Sequence, residues 1–350
     1  MPDERVLYGR RALERLNRRA AMGQVRDQPD SPILPPDIPG LALWLRSDLG
    51  VTAVMSAVGA AGTAPPAVTF TGTPSPLLPV EVDIQTPGLL GIALFRWKLG
   101  GVVQQTLQLT GANVSAGSGT LAFQFPAGTY SADNVYTATV QVSAWADQSG
   151  LTAGPSQATS ALQLGYSATG WPNGKPALSN TATTHLDLAG FTLGTWSILS
   201  AFKIGTTGEI YGFGTNSAAS GNAVGMGLVW AGTGNIYVDY GVSANRSDRT
   251  PNTAGWHNDN AAHQSAHTFG GTNATNLVAI DGVDVGYVNV LSGDPGVGPV
   301  TNTFYVGNDG SNFTFGAVGL IAEIIVYSRV LSATELANLR AYQKALWGTP

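Results

Sequence analysis

The chain of 350 residues contains no cysteine and little charge. Without cysteine there is no disulfide, no thiolate metal site and no cysteine nucleophile, so stability has to come from packing. Charged residues make up only 11% of the chain, against roughly 25% in ordinary soluble domains. Long apolar runs are also lacking, because Gly, Pro, Thr or Asn interrupts each run well before the ~20 residues of a membrane span. We therefore expect no membrane span.

Glycine is abundant instead, with 45 residues, nearly double the usual share of about 7%. Hydrophobic residues make up 43%, which is enough for a chain of this length to bury a sizeable core. The N-terminus is charged, and no apolar segment of the length of a secretory signal follows it, so we expect no export signal.

The charge is distributed unevenly along the chain. Residues 1–26 carry seven arginines against three acidic side chains, whereas the rest of the chain carries ten basic and nineteen acidic side chains. Residues 3–22 are predicted to form an amphipathic helix that is too polar for a core and marginal on its own in water. Such a helix needs a partner, and we interpret it as an anchor. Its expected contact residues are Arg5, Arg10, Arg11, Leu13, Arg15, Leu16, Arg18 and Arg19.

A linker and then a long series of strands follow the anchor. Five prolines between positions 29 and 39 favour an extended, semi-rigid linker, so we place the start of the first domain at Gly40. From there to residue 328, short strands alternate with turn signals, which is typical of a sandwich. In WSILSAFKI (196–204), every second residue from Trp196 onwards is predicted to share one face. Asp281-Gly282 predicts a tight two-residue hairpin turn.

The chain ends in a predicted helix that spans residues 331–348. Ser332 and Glu335 form the S-x-x-E pattern of a capping box, and Leu331 and Leu336 occupy the positions of a hydrophobic staple. Gly348 is placed to end the helix. We expect the apolar stripe to pack against the sheet. The stripe consists of Leu336, Leu339, Tyr342 and Leu346.

Three stretches resemble the laminin-G-like, concanavalin A-like domains that are common in bacterial and phage surface proteins. They are LALWLRSDLGV (41–51), VSAWADQSG (142–150) followed by GWPNGKPAL (170–178), and IAEIIVYSRVLSATELANLRAYQKALWG (321–348). The last is the most specific, since a closing strand, an Arg-Val-Leu-Ser junction and a helix ending in Trp-Gly recur in that family. The resemblance implies an all-β fold, a concanavalin A-like jelly-roll sandwich with a C-terminal helix.

The first two stretches are usually joined by a short hairpin in that family, but residues 55–139 separate them here. A structureless loop of this length is improbable, and the segment contains strand patterns such as GIALFRWKLGG (91–101) and TLAFQFPAGTY (120–130). We therefore predict three parts. They are an anchor with its linker (1–39), a sandwich (40–54 and 140–350) and an inserted small β domain (55–139).

Catalytic carboxylates are not evident in the sequence. Glycoside hydrolases on this scaffold carry an ExDxE triplet, and retaining enzymes hold their two carboxyl groups about 5 Å apart. The nearest match, Glu81-Val-Asp83-Ile-Gln85, lacks the second Glu and lies in the predicted insert. Glu323 stands alone on the closing strand and is expected to be structural. We predict no enzymatic activity.

Two groups of residues are candidate metal ligands. His263 and His267 are four residues apart, which would suit one face of a helix, and Asp259 is nearby. A polar surface loop with incidental histidines is the favoured interpretation, because no second ligand cluster accompanies them. The family resemblance implies instead a calcium site at the rim of the sandwich, and no other cofactor is expected. Residues of the type that calcium needs are Asp239, Asn308 and Asp309.

The eight tryptophans fall into two groups by their surroundings. Trp44, Trp145, Trp196 and Trp347 lie in strong strand or helix patterns and are expected in the core. Three others lie beside Gly, Pro or Asn, where an exposed ring could stack on the apolar face of a sugar, although core packing is the favoured interpretation for them too. These glycan-binding candidates are Trp171, Trp230 and Trp256.

The resemblance implies a phage structural protein at the virion surface, either a tail-fibre or receptor-binding subunit or a head decoration subunit. Synthesised in the host cytoplasm, it would bind other virion proteins through its N-terminal segment and a host glycan or receptor through the sandwich. We expect a homo-oligomer. Nucleic-acid binding is disfavoured, because the body has no basic patch interleaved with aromatic residues. The alternatives are a polysaccharide-processing enzyme on the same scaffold and a bacterial lectin-like adhesin.

Overall fold

The computed structural model describes residues 33–206, 208, 210–213, 223–227, 236–241, 246–249, 259–271, 277–285, 289–291, 299–308 and 316–350. This part of the chain is mostly β-strand with one C-terminal α-helix, so the predicted all-β sandwich is confirmed. None of its helices is long and apolar enough to cross a membrane. The predicted N-terminal helix lies outside the described residues, and so do Arg5, Arg10, Arg11, Leu13, Arg15, Leu16, Arg18 and Arg19.

The strands follow one another closely along the chain. Before and within the predicted insert they are β1 (Leu41–Arg46), β2 (Val51–Met55), β3 (Gly59–Ala61), β4 (Thr69–Thr71), β5 (Val80–Thr86), β6 (Gly88–Leu89), β7 (Leu94–Leu99), β8 (Val102–Leu109), β9 (Val114–Ser115), β10 (Ala122–Gln124), β11 (Thr129–Tyr130) and β12 (Val135–Ala138). After the insert they are β13 (Val140–Trp145), β14 (Leu164–Ser167), β15 (Ala177–Asn180), β16 (Leu186–Leu193), β17 (Trp196–Ile204), β18 (Tyr211–Phe213), β19 (Ala223–Gly227), β20 (Ile236–Gly241), β21 (Arg246–Arg249), β22 (His263–Phe269), β23 (Leu277–Ile280), β24 (Val283–Asp284), β25 (Asn289–Leu291), β26 (Val300–Val306) and β27 (Gly319–Tyr327). Helix α1 (Ala333–Trp347) follows, and two 3-10 turns lie at Pro35–Asp37 and Ser160–Leu162.

Ten antiparallel strands form the main sheet, in the order β2-β13-β14-β15-β27-β17-β22-β23-β24, with β1 also paired to β27. The three-stranded sheet β16-β26-β18 packs on one face of it, and the core between them includes Trp145, Phe202 and Phe304. Strands β19-β20-β21-β25 form a further sheet. The core of the sandwich therefore lies between two sheets, as the fold class predicts.

Strand β17 shows that both faces of the main sheet are covered. Trp196, Ile198 and Phe202 point into the core between the sheets, as the alternating pattern predicts. Leu199 lies on the opposite face and packs with Leu339 of α1. Nearly every residue of β17 is buried for this reason.

Helix α1 is capped and packed as predicted. The Ser332 hydroxyl accepts from the Glu335 amide at 3.3 Å, and the Glu335 carboxylate accepts from the Ser332 amide at 2.8 Å. The hydrogen bond from Arg329 is the main cause that lowers the pKa of Glu335 to about 2. Gly348 ends the helix with a φ of 68°. The residues Leu336, Leu339 and Tyr342 are buried and Leu346 is half-buried.

The end of the proline-rich linker is packed and not extended. Pro35–Asp37 form a 3-10 turn, and Ile38 is buried in the apolar layer between the main sheet and α1. The Tyr327 hydroxyl donates to the carbonyl of Pro35 at 2.9 Å. Residues 34–39 therefore complete this layer, which the predicted boundary at Gly40 did not anticipate.

The inserted segment has its own sheets and its own core. Its sheets are β3-β12-β5-β7-β8, β4-β10-β9 and β11-β6. Phe95, Trp97 and Phe123 lie in an apolar cluster whose members all come from this segment and its neck. Strands β2 and β13 lead into and out of it as an antiparallel pair, and the Ser56 amide donates to the carbonyl of Thr139 at 2.8 Å. That the segment folds by itself stays a prediction.

Candidate functional site

His263, Asp259 and Asp281 form a polar cluster at one end of β22. Asp281-Gly282 make the predicted two-residue turn between β23 and β24, with φ values of 51° and 83°. Nδ1 of His263 lies 2.6 Å from Oδ2 of Asp281, and its Nε2 lies 3.1 Å from Oδ1 of Asp259. Each nitrogen of this buried imidazole therefore faces a carboxylate.

The two carboxylates favour the charged imidazole. Burial lowers the pKa of His263, but its hydrogen bonds and charge interactions with Asp281 and Asp259 outweigh burial and raise the pKa above its ordinary value. Burial alone would raise the pKa of Asp259. The hydrogen bond from the Ala261 amide and the interaction with His263 outweigh burial and lower this pKa below its ordinary value. Since a protonated imidazole donates from both nitrogens, the cluster clamps β22 to the hairpin.

The structure does not bring His263 and His267 together as metal ligands. Both lie on a strand and not on a helix, and positions four apart on a strand are about 13 Å apart. His267 contacts Tyr211, whose hydroxyl lies 3.3 Å from Nδ1, and the ring of Trp196. In the described part of the chain, no three His, Asp or Glu side chains are grouped as a metal site requires. The favoured interpretation of a polar surface loop is wrong for His263 and His267, because both are buried in β22, and a spacing of four implies proximity only in a helix.

The calcium candidates are only partly described. Asn308 is buried and donates through Nδ2 to the carbonyl of Ala182 at 3.2 Å. Only the backbone of Asp239 is described, within β20, and Asp309 lies outside the described residues. Calcium binding stays a prediction.

Trp171 belongs to the core and is not a sugar-stacking platform. Its side chain is 1% exposed, and Nε1 donates to the carbonyl of Trp347 at 2.6 Å. The two indole rings pack edge to face with centroids 6.0 Å apart. The end of α1 thus encloses the ring that we considered for glycan contact. The other two candidates, Trp230 and Trp256, lie outside the described residues.

Glu323 is a fully buried carboxylate between β27 and α1. Oε1 accepts from Trp44 Nε1 and from the Tyr342 hydroxyl, both at 2.8 Å, and Oε2 accepts from Gln343 Nε2 and Trp347 Nε1, both at 3.1 Å. Each oxygen receives one indole N–H, a group that can only donate. Burial raises the pKa of Glu323, and the four hydrogen bonds oppose this only in part. The carboxylate joins the helix to the sheet and is closed to any substrate.

Asp147, from the VSAWADQSG motif, is a second carboxylate that is engaged by the fold. Oδ1 accepts from the amides of Trp44 at 2.9 Å and Ser149 at 2.8 Å. Oδ2 accepts from the Ser149 hydroxyl at 2.6 Å and the Thr152 amide at 3.0 Å. Asp147 therefore holds the loop after β13 against β1, which gives the motif a structural role in this chain.

The near match to the hydrolase triplet lies on β5, beside the basic side chains of β7. Asp83 accepts from Arg96 Nε at 3.0 Å and lies 3.4 Å from Lys98 Nζ, which also contacts Glu81. Burial raises the pKa of Asp83, but Arg96 and Lys98 bring it below its ordinary value. A catalytic general acid requires a raised pKa, so Asp83 does not suit that role. These groups form a ladder of ion pairs across two strands.

Strand β8 is the open feature of the insert, because it lies at the edge of the five-stranded sheet and pairs with β7 alone among the described strands. Half of the twelve large apolar side chains that are exposed in the described part of the chain lie on this strand or beside its end. We call these six the edge patch: Leu89 (56% exposed), Ile92 (63%), Val102 (65%), Val103 (44%), Leu107 (63%) and Leu109 (56%).

A bulge in β8 determines how part of the edge patch is presented. Phe95 pairs with Gln108 and Trp97 with Gln105, so Thr106 and Leu107 share one position opposite β7. Leu107 has a φ of 54°, a conformation that is strained for leucine. Our sequence reasoning missed the edge patch, although a signal exists, since residues 99–132 contain no charged side chain.

An open pocket of about 550 Å³ adjoins the start of β8. Its apolar side chains are Pro76, Leu78, Leu99 and Val102, and none of the side chains that line it is charged. Uncharged donors and acceptors beside apolar carbon suit the hydroxyl groups and C–H faces of a neutral saccharide. The remaining lining residues are Ser75, Gln104, Gly117, Ser118 and Gly119.

No family model and no curated protein sequence matches this chain. One similar structure is the binding domain of Paraclostridial Mosquitocidal Protein 1, with a TM-score of 0.43 and 12% identity over 59% of this chain and 52% of that one. Another is the binding domain of botulinum neurotoxin serotype G, with a TM-score of 0.40 and 16% identity over 59% and 51%. Domain 4 of AbnA, a GH43 extracellular arabinanase from Geobacillus stearothermophilus, has a TM-score of 0.40 and 17% identity over 56% and 92%. The chain spans about half the length of the two toxin domains, and likenesses at this level carry no functional argument.

Proposed function

We propose that this protein is a non-enzymatic surface protein of a phage particle, anchored by its N-terminal segment and binding a host-surface glycan. The non-enzymatic part of the proposal rests on the hydrogen bonds and ion pairs that occupy three carboxylates. Glu323 and Asp147 are saturated by donors of the fold, and Asp83 is paired with two basic side chains. A glycoside hydrolase requires two carboxyl groups that are open to the substrate. The carboxylates closest to a catalytic pattern thus hold the protein together, which favours binding over catalysis.

The pocket beside β8 supports a neutral glycan as the ligand. It offers the hydroxyl of Ser75 and the amide of Gln104 together with apolar carbon, and no charged group, whereas the Ser118 hydroxyl already donates to the carbonyl of Ser75 at 3.0 Å. An acidic sugar would find no cation in this lining. We therefore assign neutral oligosaccharides of the host surface as the ligand class.

The beginning of the described chain supports an anchored arrangement. The seven arginines of residues 1–26 contrast with the acidic body of the protein. Residues 34–39 pack between the main sheet and α1, which fixes the place where the N-terminal segment leaves the sandwich. A docking segment with a fixed exit would hold the rest of the chain in a defined orientation on an assembly.

A binding experiment with a matched variant pair tests the glycan part. Purified full-length protein is incubated with neutral host polysaccharide, and both the bound protein and the released reducing ends are measured. We expect binding without release, and at least fivefold weaker binding for Gln104→Ala than for the control Gln85→Ala, an exposed glutamine outside the pocket. Release of reducing ends would favour the polysaccharide-processing enzyme, and equal binding by the two variants would exclude this pocket.

A second experiment tests the particle part. Purified phage particles from the lysate are analysed by mass spectrometry and immunogold labelling. We expect the chain in stoichiometric amounts on the particle surface, and its loss when residues 1–32 are deleted. A chain that stays in the soluble fraction, or that assembles without this segment, would contradict the anchor.

A further inference from the structure

We propose that the edge patch pairs with the edge patch of a second copy of this chain, so that two β8 strands join their sheets antiparallel across a two-fold axis. The inference concerns assembly, and it shares Val102 and Gln104 of β8 with the lining of the proposed glycan pocket. It rests on the backbone, the side chains and the charge of one strand.

The backbone of β8 is suited to strand addition. Eight residues make an edge about 27 Å long, and an exposed sheet edge presents unpaired amide and carbonyl groups to another strand. Natural proteins protect such edges by short strands, lysines or prolines. The opposite edge of the same sheet, β3, has only three residues, whereas β8 has eight residues without lysine or proline, and its bulges are the one protection of this kind that it carries.

The side chains of the edge patch are apolar and are held outward. Val102, Val103 and Leu109 are exposed along the strand, and Leu89 and Ile92 lie beside its end, where the amide of Thr110 donates to the carbonyl of Ala93. Leu107 holds a strained φ and remains 63% exposed. A strained backbone that leaves an apolar side chain exposed to water is costly for the isolated chain. A contact of Leu107 with another copy would explain why it is kept.

The absence of charge favours a second copy over a charged partner as the occupant. In a two-fold pair each strand faces itself, so any charged side chain near the axis would face its own like charge. Residues 99–132 contain no charged side chain, and the nearby Asp83, Arg96 and Lys98 are paired with one another. A charged partner would find no complement here, whereas an identical strand fits.

The contact is small, and this determines the conditions of the test. One strand pair with the edge patch buries less than the ~800 Å² per partner of a standard interface, so isolated chains should associate weakly. Copies held side by side on an assembly would pair at high effective concentration. The experiment therefore needs concentrated protein and a readout of local proximity.

Because the chain has no cysteine, single-cysteine variants report that proximity cleanly. Val102→Cys, Val103→Cys, Leu107→Cys and Leu109→Cys are made in the full chain, with Leu151→Cys as the control, since Leu151 is 68% exposed but outside the edge patch. Concentrated protein is treated with a short bismaleimide, and dimers are counted on denaturing gels. We expect at least a fivefold excess of dimer over the control at one or more edge positions.

Sedimentation velocity over a concentration series provides the second readout. The doubly substituted variant Val103→Lys/Leu107→Lys should dimerise at least tenfold more weakly than the native chain, while Leu151→Lys should behave like the native chain. Far-ultraviolet circular dichroism verifies folding, and the cysteine variants still decide if the lysine variant is unfolded. Edge cross-links no stronger than the control, or a dimer that the lysines leave unchanged, would overturn the proposal. Glycan binding is measured separately, so its failure is distinguishable.

Discussion

The sandwich and the inserted segment are built from the same antiparallel strands but differ in what they leave uncovered. The main sheet is covered by a second sheet on one face and by α1 on the other, so even the polar Glu323 is enclosed. The five-stranded sheet of the insert covers one face with its own core, while its other face carries the ion-pair ladder of Asp83, Arg96 and Lys98. Its edge strand β8 is exposed along its length.

This difference shows where the two regions can contact other molecules. A sheet covered on both faces has neither face free for another molecule, and its buried polar groups need hydrogen-bond partners inside the protein. A sheet covered on one face keeps a surface and an edge for partners. Both of our proposals on contacts, glycan binding and strand pairing, accordingly concern the insert.

The largest expected effects come from removing one core side chain in each region. Leu339 and Phe123 are fully buried, so we expect Leu339→Ala to cost roughly 2–5 kcal/mol and Phe123→Ala roughly 3–5 kcal/mol of unfolding free energy. If the two regions unfold separately, calorimetry should show that each substitution lowers a different transition. A single transition that both substitutions lower equally would show one cooperative unit instead.

The enclosure of Glu323 predicts the next largest effect. Glu323→Gln replaces one carboxylate oxygen, which accepts hydrogen bonds, by an amide group that donates and therefore faces two other donors. We expect the free energy of unfolding in urea to fall by roughly 1–3 kcal/mol. Tyr342→Phe is the control, because it removes one donor and leaves the carboxylate with three. We expect it to cost less. A harmless Glu323→Gln would mean that the carboxyl group is already protonated in the folded protein.

Capping should matter less than packing at the same helix. Ser332→Ala removes the side-chain acceptor for the Glu335 amide and should cost about 0.5–2 kcal/mol. Denaturant melts of Ser332→Ala and Leu339→Ala in parallel give the comparison. Equal losses would indicate that α1 is held mainly by its cap and not by its apolar contacts.

The His263 clamp predicts a smaller, pH-dependent effect in the sandwich. Because the pKa of His263 is raised in the folded state, its contribution is fully present below the ordinary value of about 6.5 and is lost as pH rises through the raised pKa. The urea midpoint should fall over that window in the native chain. His263→Gln should remove this part of the pH profile, and an unchanged profile would exclude the clamp.

The smallest effect is expected from removing the insert altogether. Strands β2 and β13 pair up to Met55 and Val140, so residues 57–138 can be replaced by an Asn-Gly turn that closes the hairpin. The unfolding free energy of the sandwich should change by less than about 1 kcal/mol, because the covering layers stay intact. An insoluble or unfolded product would show that the sandwich depends on the insert.

Local patterns in the sequence predicted much of the sandwich. The capping box of Ser332 and Glu335, the Asp281-Gly282 turn and the alternation along β17 all appear in the structure. Each is a property of a few neighbouring residues, because caps, tight turns and strand faces depend on local backbone geometry. The core positions of Trp44, Trp145, Trp196 and Trp347 were predicted for the same reason.

The candidate sites were harder to predict from local patterns. The spacing of His263 and His267 suited a helix, but both residues lie on a strand. Trp171, for which core packing was favoured over sugar contact, is enclosed by the end of α1. In both cases the role of the residue depends on an element distant in sequence. Composition alone could have drawn attention to the uncharged run that contains β8.

The sequence by itself determined the strand-rich class and the ends of α1, since these follow from local propensity, whereas the insertion was expected from the resemblance to a family that joins the two flanking stretches by a short hairpin. Only the tertiary structure decided which surfaces are covered. Glu323 is closed off because four donors from β1 and α1 converge on it, and β8 is exposed because no described strand follows it in its sheet. Burial is a property of what packs against a residue, and the packing partners lie far away along the chain.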